Sequence, residues 1–284
     1  MLVIGTAQFG LDYGINNING KITTVEIDKI INFCSLNNLT YFDTAQDYGN
    51  AEDILSKYDN LNIITKAKFN GKNTHETINN SLSKFKNIYC FLLHSFADYK
   101  DDIINTLNEY KMKGCIDNIG ISIYNVDEAI IILDDIRINV IQLPINLLDN
   151  QWNNPIFLEK LYKRQRDNTI EIHARSIFLQ GILLTIPSKL PINIDKKQFI
   201  DIDNYMQKLC IDFNISRNNL AFTYINSVKW IDKVIIGIDN VEHLINNYNI
   251  YNKQETFTEK ELHIITEYQK TVNPLIINPS KWLF

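Results

Sequence analysis

Short runs of β-branched and aromatic residues alternate with longer stretches of helical periodicity, eight times over, between Leu2 and Lys270. This alternation is the strongest constraint on the fold, because strand–helix–strand units stack into a parallel sheet with the helices outside it. The strand-like runs fall at residues 2–7, 40–43, 62–66, 88–94, 118–122, 140–143, 170–175 and 234–237. The fourth run is almost wholly apolar, as a strand covered on both faces should be. The intervening segments carry helix signals: Thr24 as an N-cap, Pro155 at a first helical turn, and Gly114 as a stop after residues 101–113. Helices are also expected over 51–58, from 74, over 126–136, 155–166 and 202–213, after Ser216, and over 241–251 and 258–270. The expected fold is α/β, one (β/α)8 TIM barrel domain spanning residues 1–284. A doubly wound open sheet competes, but no GxGxxG follows the first strand.

A chain of 284 residues, 45% apolar and 21% charged, suits such a barrel. Its net charge of −5 comes without a basic block, which argues against nucleic acid as a partner. The apolar runs are too short to span a bilayer. No leader is recognisable before the first strand, so a cytoplasmic protein is expected. Cys34, Cys90, Cys115 and Cys210 are far apart, and Cys34, Cys90 and Cys210 lie in apolar contexts that predict buried free thiols. Neither HxH nor HExxH occurs, so no metal is expected and a metal-dependent hydrolase is disfavoured.

In a parallel barrel the chemistry gathers at the C-terminal ends of the strands. Those ends carry Gln8, Asp43 with Tyr48 five residues on, Lys66, His94, Ser122, Gln142, Arg175 with Ser176, and Gly237. Singly, each has a bland explanation: a strand terminator, a loop aromatic, a solvated lysine, a structural histidine. Together, Asp43, Tyr48, Lys66 and His94 fall at the ends of three neighbouring strands, and their chemistry is complementary. A free phenol has a pKa of about 10 and is a weak acid at neutral pH unless a cation favours its phenolate. Lys66 would be that cation if its ammonium lies beside the Tyr48 hydroxyl, Asp43 would hold the lysine, and His94 would orient a carbonyl oxygen. Each pKa unit shifted is worth about 1.4 kcal/mol. The set suits proton transfer coupled to carbonyl reduction.

The segments Phe42-Asp-Thr-Ala-Gln-Asp-Tyr-Gly-Asn-Ala-Glu52, Thr65-Lys66, Leu93-His94 and Gly120-Ile-Ser122 resemble, in that order, the aldo-keto reductase superfamily. The resemblance continues through residues 141–146, 174–181 and 235–247 and covers essentially the whole chain. It implies a nicotinamide-dependent reductase on a barrel without a Rossmann domain. By the same resemblance Tyr48 is the general acid, Lys66 its pKa-lowering partner, Asp43 the anchor of the lysine, and His94 the carbonyl-orienting group. Ser122 and Gln142 match the nicotinamide carboxamide contacts, and Arg175 the position that stacks on the nicotinamide. Ser176, Leu179 and Gly181 belong to the segment over the pyrophosphate. Gly237, Ile238, Asp239, His243 and Asn247 belong to the adenosine-phosphate segment.

Some positions depart from the family pattern. Ile123 stands where asparagine is frequent, removing one carboxamide contact. Gly237-Ile238-Asp239 replaces the usual Lys-Ser, and His243 stands where Arg or Gln is common. An inward Asp239 would repel a 2′-phosphate, and a neutral imidazole is a weaker partner than a bidentate arginine. On the family pattern NADP(H) is expected rather than NAD(H). Residues 5–14 and 175–181 resemble a bacterial subgroup associated with surface-polysaccharide and nucleotide-sugar pathways. The expected substrate is a small-molecule carbonyl, including sugars, against walls formed by Gln8, Asp12, Tyr13, Asn146 and Trp152. The tail Trp282-Leu-Phe284 is expected to fold over the pocket, to make a dimer contact, or to be disordered. The competing functional reading is a cofactor-binding regulatory or scaffold protein with little turnover on the same barrel.

Overall fold

The computed structural model of the chain describes residues 1–15, 17, 20–186 and 190–284. Eight parallel strands close into a barrel in sequence order. They are β1 Leu2–Gly5, β2 Tyr41–Asp43, β3 Asn62–Ala67, β4 Ile88–Leu93, β5 Ile116–Ser122, β6 Val140–Pro144, β7 Glu171–Arg175 and β8 Lys233–Gly237. β1 pairs with β2 on one side and β8 on the other, with Gly5 opposite both Asp43 and Gly237. The sheet has no free edge, which removes the open doubly wound alternative. The architecture is a (β/α)8 TIM barrel.

After a single turn, α1 Ala7–Gly10, the outer layer runs α2 Thr24–Leu36, α3 Ala51–Leu55, α4 Thr74–Leu82, α5 Asp101–Met112, α6 Val126–Ile132 and α7 Pro155–Arg166. It continues with α8 Lys196–Phe213, α9 Arg217–Ser227, α10 Val241–Tyr251 and α11 Glu259–Gln269. A large apolar cluster fills the space between strands and helices, with Phe42, Phe91 and Phe157 wholly buried in it. The bore of the barrel holds a separate small apolar layer of Val3, Ile64, Cys90, Leu92, Val140 and Ile235. At the N-terminal ends of the strands the Lys233 ammonium closes the bore. It bonds Glu171 Oε2 at 2.5 Å and lies 5.0 Å from the ring centres of Tyr41 and Tyr89. Polar groups on the C-terminal side of the apolar layer form the site described below.

Asparagine does much of the local structural work. It caps α4 (Asn73), α6 (Asn125), α7 (Asn154) and α10 (Asn240) through side-chain oxygens that accept N-terminal amide bonds. It also takes the left-handed conformation at Asn38, Asn60, Asn70, Asn168 and Asn214, a role that usually falls to glycine.

Several boundaries differ from the sequence reading. The α2 cap is Thr23, whose side chain accepts from Glu26 N, rather than Thr24. The first strand ends at Gly5 because the chain turns into α1. The helices expected to reach residues 58 and 136 stop at Leu55 and Ile132, while α8 begins six residues early, capped by Asp195. Cys34 and Cys90 are buried free thiols; Cys210 is only partly covered.

The tail is ordered but lies away from the strand-end cavity. Trp282 is buried and donates from Nε1 to Leu275 O at 2.9 Å. Leu283 O accepts from Ile192 N at 2.8 Å, fastening the chain end to the segment before α8. Among the described residues no helix is long and apolar enough to cross a membrane.

Candidate active site

The strand ends open into a cavity of about 560 Å³, a normal size for a small-molecule site. Its deepest charged pair is Lys66 and Asp43, 2% and 4% exposed. β2 and β3 are neighbours, with Asp43 opposite Ile64, so the inward side chains of Asp43 and Lys66 meet. Lys66 Nζ donates to Asp43 Oδ1 at 2.7 Å and to Thr44 O at 2.9 Å. From the far side of the bore, Gln142 Nε2 donates to Asp43 Oδ2, also at 2.7 Å. Both carboxylate oxygens therefore carry a charged or amide donor, which a buried carboxylate needs. Burial works against the Lys66 ammonium, but Asp43 and the Tyr48 phenol outweigh it, and the pKa ends above its usual value.

Tyr48 comes from the loop between β2 and α3. The Lys66 ammonium lies 4.7 Å from the centre of its ring. Tyr48 is half-buried as a whole residue, with its phenol end deep among protein atoms. That burial raises its pKa, and the Lys66 charge pulls only partly against it. The lysine acts in the expected direction, and desolvation opposes it with the larger effect.

Two features fix this loop. A Cβ on Gly10 would fall 1.8 Å from the carbonyl oxygen of Tyr48, and Gly49, at φ +57°, would place its Cβ 2.4 Å from the carbonyl oxygen of Gly10. The backbones pass too closely for any side chain at either position. Glu52, in the first turn of α3 and 2% exposed, accepts hydrogen bonds from Thr65 and Ser81, both at 2.7 Å. It ties the loop's helix to β3 and α4.

His94 follows β4, and its ring packs edge-on to Tyr48 with centroids 6.3 Å apart. Burial and the nearby Lys66 charge lower its pKa to about 3, so the imidazole is neutral. Nδ1 is enclosed without a hydrogen-bond partner, 3.6 Å from Asp47 Oδ2. No ion pair forms there, because the ring is uncharged and Asp47 pairs with Lys68 at 2.8 Å.

The remaining predicted residues divide clearly. Ser122, Gln142, Arg175, Ser176 and Gly181 line the same cavity, as do Gly237, Asp239, His243 and Asn247. Leu179 and Ile238 do not; both side chains belong to the apolar core, so they leave only backbone to offer. Arg175 stacks on the ring of Tyr124 at 4.5 Å and donates to Ile123 O at 3.1 Å. The segment after it carries positive φ at Ser176, Leu179, Gln180 and Gly181, a dense run of left-handed backbone outside glycine. At the far end, Asp239 lies between Gln8 Nε2 and His243 Nδ1, each 3.5 Å from one of its oxygens.

Of the expected substrate walls, Gln8 and Tyr13 face the cavity. Asp12 turns away to accept from Lys21 N, Asn146 is wholly buried, and Trp152 is a core residue donating to Pro144 O at 2.7 Å. Sequence reasoning missed Tyr124, Asn218 and Asn246, which line the cavity. Reading two residues past Ser122 would have found Tyr124. Asn218 and Asn246 lie in helices and carry no strand-end signal.

Gln142 Oε1 is buried and lacks a donor, although the side chain lines the cavity. An open acceptor beside the Lys66–Asp43 pair is what a carboxamide NH2 would satisfy, so the residues present fit a nicotinamide there.

The sequence model of the aldo/keto reductase family matches residues 1–270. Two solved structures from Pseudomonas aeruginosa, both assigned as aldo-keto reductases, share the fold. One superposes with a TM-score of 0.64 at 17% identity, covering 89% of this chain and 90% of its own. The other gives 0.63 at 16% identity, covering 89% of each chain. No curated protein sequence matches the chain.

Proposed function

The chain belongs to the aldo/keto reductase family, and from that premise we propose that it reduces a small-molecule carbonyl with Tyr48 as the proton donor. Members of the family are oxidoreductases that use a nicotinamide cofactor. When bound, the dinucleotide supplies the hydride. Gln142 Oε1 and Ser122 would hold the carboxamide, Arg175 would pack on the ring, the left-handed segment from Ser176 to Gly181 would follow the pyrophosphate, and Asn247 would face the adenine.

The observation that carries the reading is the convergence of Asp43, Lys66, Tyr48 and His94 on one wall of the cavity. The protonated Tyr48 phenol gives its proton to the carbonyl oxygen as that oxygen gains charge. Lys66, held by Asp43, stabilises the phenolate left behind. The neutral His94 carries one ring N–H, which on Nε2 donates to the same oxygen and orients it. In the reverse direction the Tyr48 phenolate, stabilised by Lys66, is the base. A sugar or sugar derivative is one substrate such a cavity would accept, with Gln8 and Tyr13 on its walls.

For the cofactor, the family pattern leads to NADP(H), while the local charge favours NAD(H). Among the described residues the only lysine or arginine side chains on the cavity are Lys66 and Arg175, on β3 and β7. The segment after β8 offers the carboxylate of Asp239. A 2′-phosphate dianion there meets repulsion, whereas a ribose 2′-hydroxyl can donate to the carboxylate. Titration of nicotinamide fluorescence with NADH and NADPH tests both levels. We expect binding of at least one, with NADH the tighter. If neither binds, the oxidoreductase reading fails; if NADPH binds the more tightly, the assignment of Asp239 fails alone.

A further inference from the structure

Among the described residues two lysine or arginine side chains line the cavity, Lys66 and Arg175. Lys66 is neutralised by Asp43 at 2.7 Å. Among the described residues Arg175 has no carboxylate within ion-pair distance. It donates hydrogen bonds to Ile123 O at 3.1 Å and Ser176 Oγ at 3.4 Å. A guanidinium has five N–H donors in a planar fork, so most of its donor capacity is open. Its place is also specific. Arg175 lines the same cavity as Tyr13, Tyr48 and His94. The guanidinium carbon lies over the Tyr124 ring, 4.5 Å from its centre. A reduced nicotinamide against the other face is uncharged and leaves the charge unanswered.

We propose that Arg175 is a specificity-determining residue, and that the substrate is a carbonyl compound carrying a carboxylate, such as an oxo acid or a uronic-type sugar. The inference rests on the carbonyl-reductase reading and adds the substrate's charge to it. The planar fork matches a carboxylate bidentately, which a lysine at the same position would not. Tyr13 lines the adjoining wall and can pack on the carbon skeleton while its hydroxyl bonds a polar substituent. The hydride is accepted at the carbonyl carbon, the proton arrives from Tyr48, and the carboxylate is unchanged by the reaction.

The test compares aldehydes that differ at a group remote from the reacting carbon, a carboxylate in one and an uncharged group in the other: 4-carboxybenzaldehyde against methyl 4-formylbenzoate, and succinic semialdehyde against butanal. A hydrogen-bonded charge contact predicts that kcat/KM favours the acid by about ten- to a hundredfold at low salt, and less at high salt. In Arg175→Met the ratio should fall to near one, and in Arg175→Lys it should lie between. Equal or better turnover of the uncharged partners by the wild-type enzyme overturns the proposal while the oxidoreductase reading stands. If no aldehyde of either pair is turned over, binding decides. Benzoate should quench the fluorescence of the enzyme–NADH complex at concentrations at least about tenfold below benzamide. Equal quenching by both overturns the proposal. Failure of Arg175→Met to fold leaves the wild-type ratios and their salt dependence to settle it.

Discussion

The carbonyl oxygen of Tyr48 occupies the place where a side chain on Gly10 would begin, 1.8 Å from an ideal Cβ there. The phenol's position is thus set by a backbone-to-backbone contact between the loop after β1 and the loop after β2. Backbone cannot swing aside as a flexible side chain can. Gly10→Ala should push the Tyr48 loop outward by the order of an ångström and lower kcat/KM by about 10²-fold, since misplacement on that scale costs about that much. The fold should persist by circular dichroism. An active Gly10→Ala with unchanged kcat/KM would contradict the contact.

Lys66 and Asp43 form a buried pair, and removing one member leaves a buried charge. Lys66→Met leaves the Asp43 carboxylate with Gln142 as its remaining side-chain donor. The cost should be about 3–5 kcal/mol in urea denaturation. Adding Asp43→Asn should restore part of that loss, because the stranded charge is gone. Additive losses in the double variant would mean that the two residues do not act as a pair.

His94 gives a pH signature. Its folded-state pKa is about 3, against an ordinary 6.5, because burial and Lys66 disfavour the imidazolium. Above pH 6.5 neither the folded nor the unfolded chain protonates it. Between pH 6.5 and 3 the unfolded chain takes up a proton that the folded ring refuses, so stability falls as pH falls through that window. Relative to His94→Gln, the wild type should lose on the order of 4 kcal/mol across it. Using the difference cancels the opposite trend of Asp149, whose carboxyl burial pushes up to about 6. A difference in stability that is flat with pH would mean that His94 titrates normally. The reductive rate should likewise show no limb from His94 between pH 5 and 8.

Asp239 sets the cofactor prediction. Its side chain is about a third exposed, so its repulsion of a phosphate is partly screened. Asp239→Ser should tighten NADPH binding by about tenfold, one full-charge contact in a wet site, and should weaken NADH binding, whose ribose 2′-hydroxyl loses its carboxylate acceptor. Fluorescence titration of both dinucleotides reads this without any substrate. An unchanged NADPH affinity would remove Asp239 from the discrimination.

The barrel was legible because its signal is redundant: eight β-branched runs and their helices each point to the same architecture. The meeting of Asp43 with Lys66 was legible too, since adjacent parallel strands bring their ends together by topology alone. What sequence could not supply was depth. Burial lifts the Tyr48 pKa against the pull of Lys66, and no spacing rule reports how much water reaches a loop. Trp152 and Asn146 looked like pocket walls because they follow a strand end. The loop after β6 instead folds inward, and the Trp152 indole bonds Pro144 O in the core. Leu179 and Ile238 turn their side chains into the core for a related reason: a backbone segment can face a cavity while its apolar side chains face the other way. The tail's docking on Ile192 is a long-range pairing with no local pattern to announce it.

The central claim is that Tyr48 is the proton donor, and Tyr48→Phe tests it most directly. The substitution removes one oxygen, so nicotinamide binding by fluorescence should be unchanged. Turnover of any aldehyde the wild type reduces should fall by 10²–10⁴-fold, the usual worth of a positioned general acid. Turnover within about tenfold of wild type, with the cofactor bound normally, would contradict it.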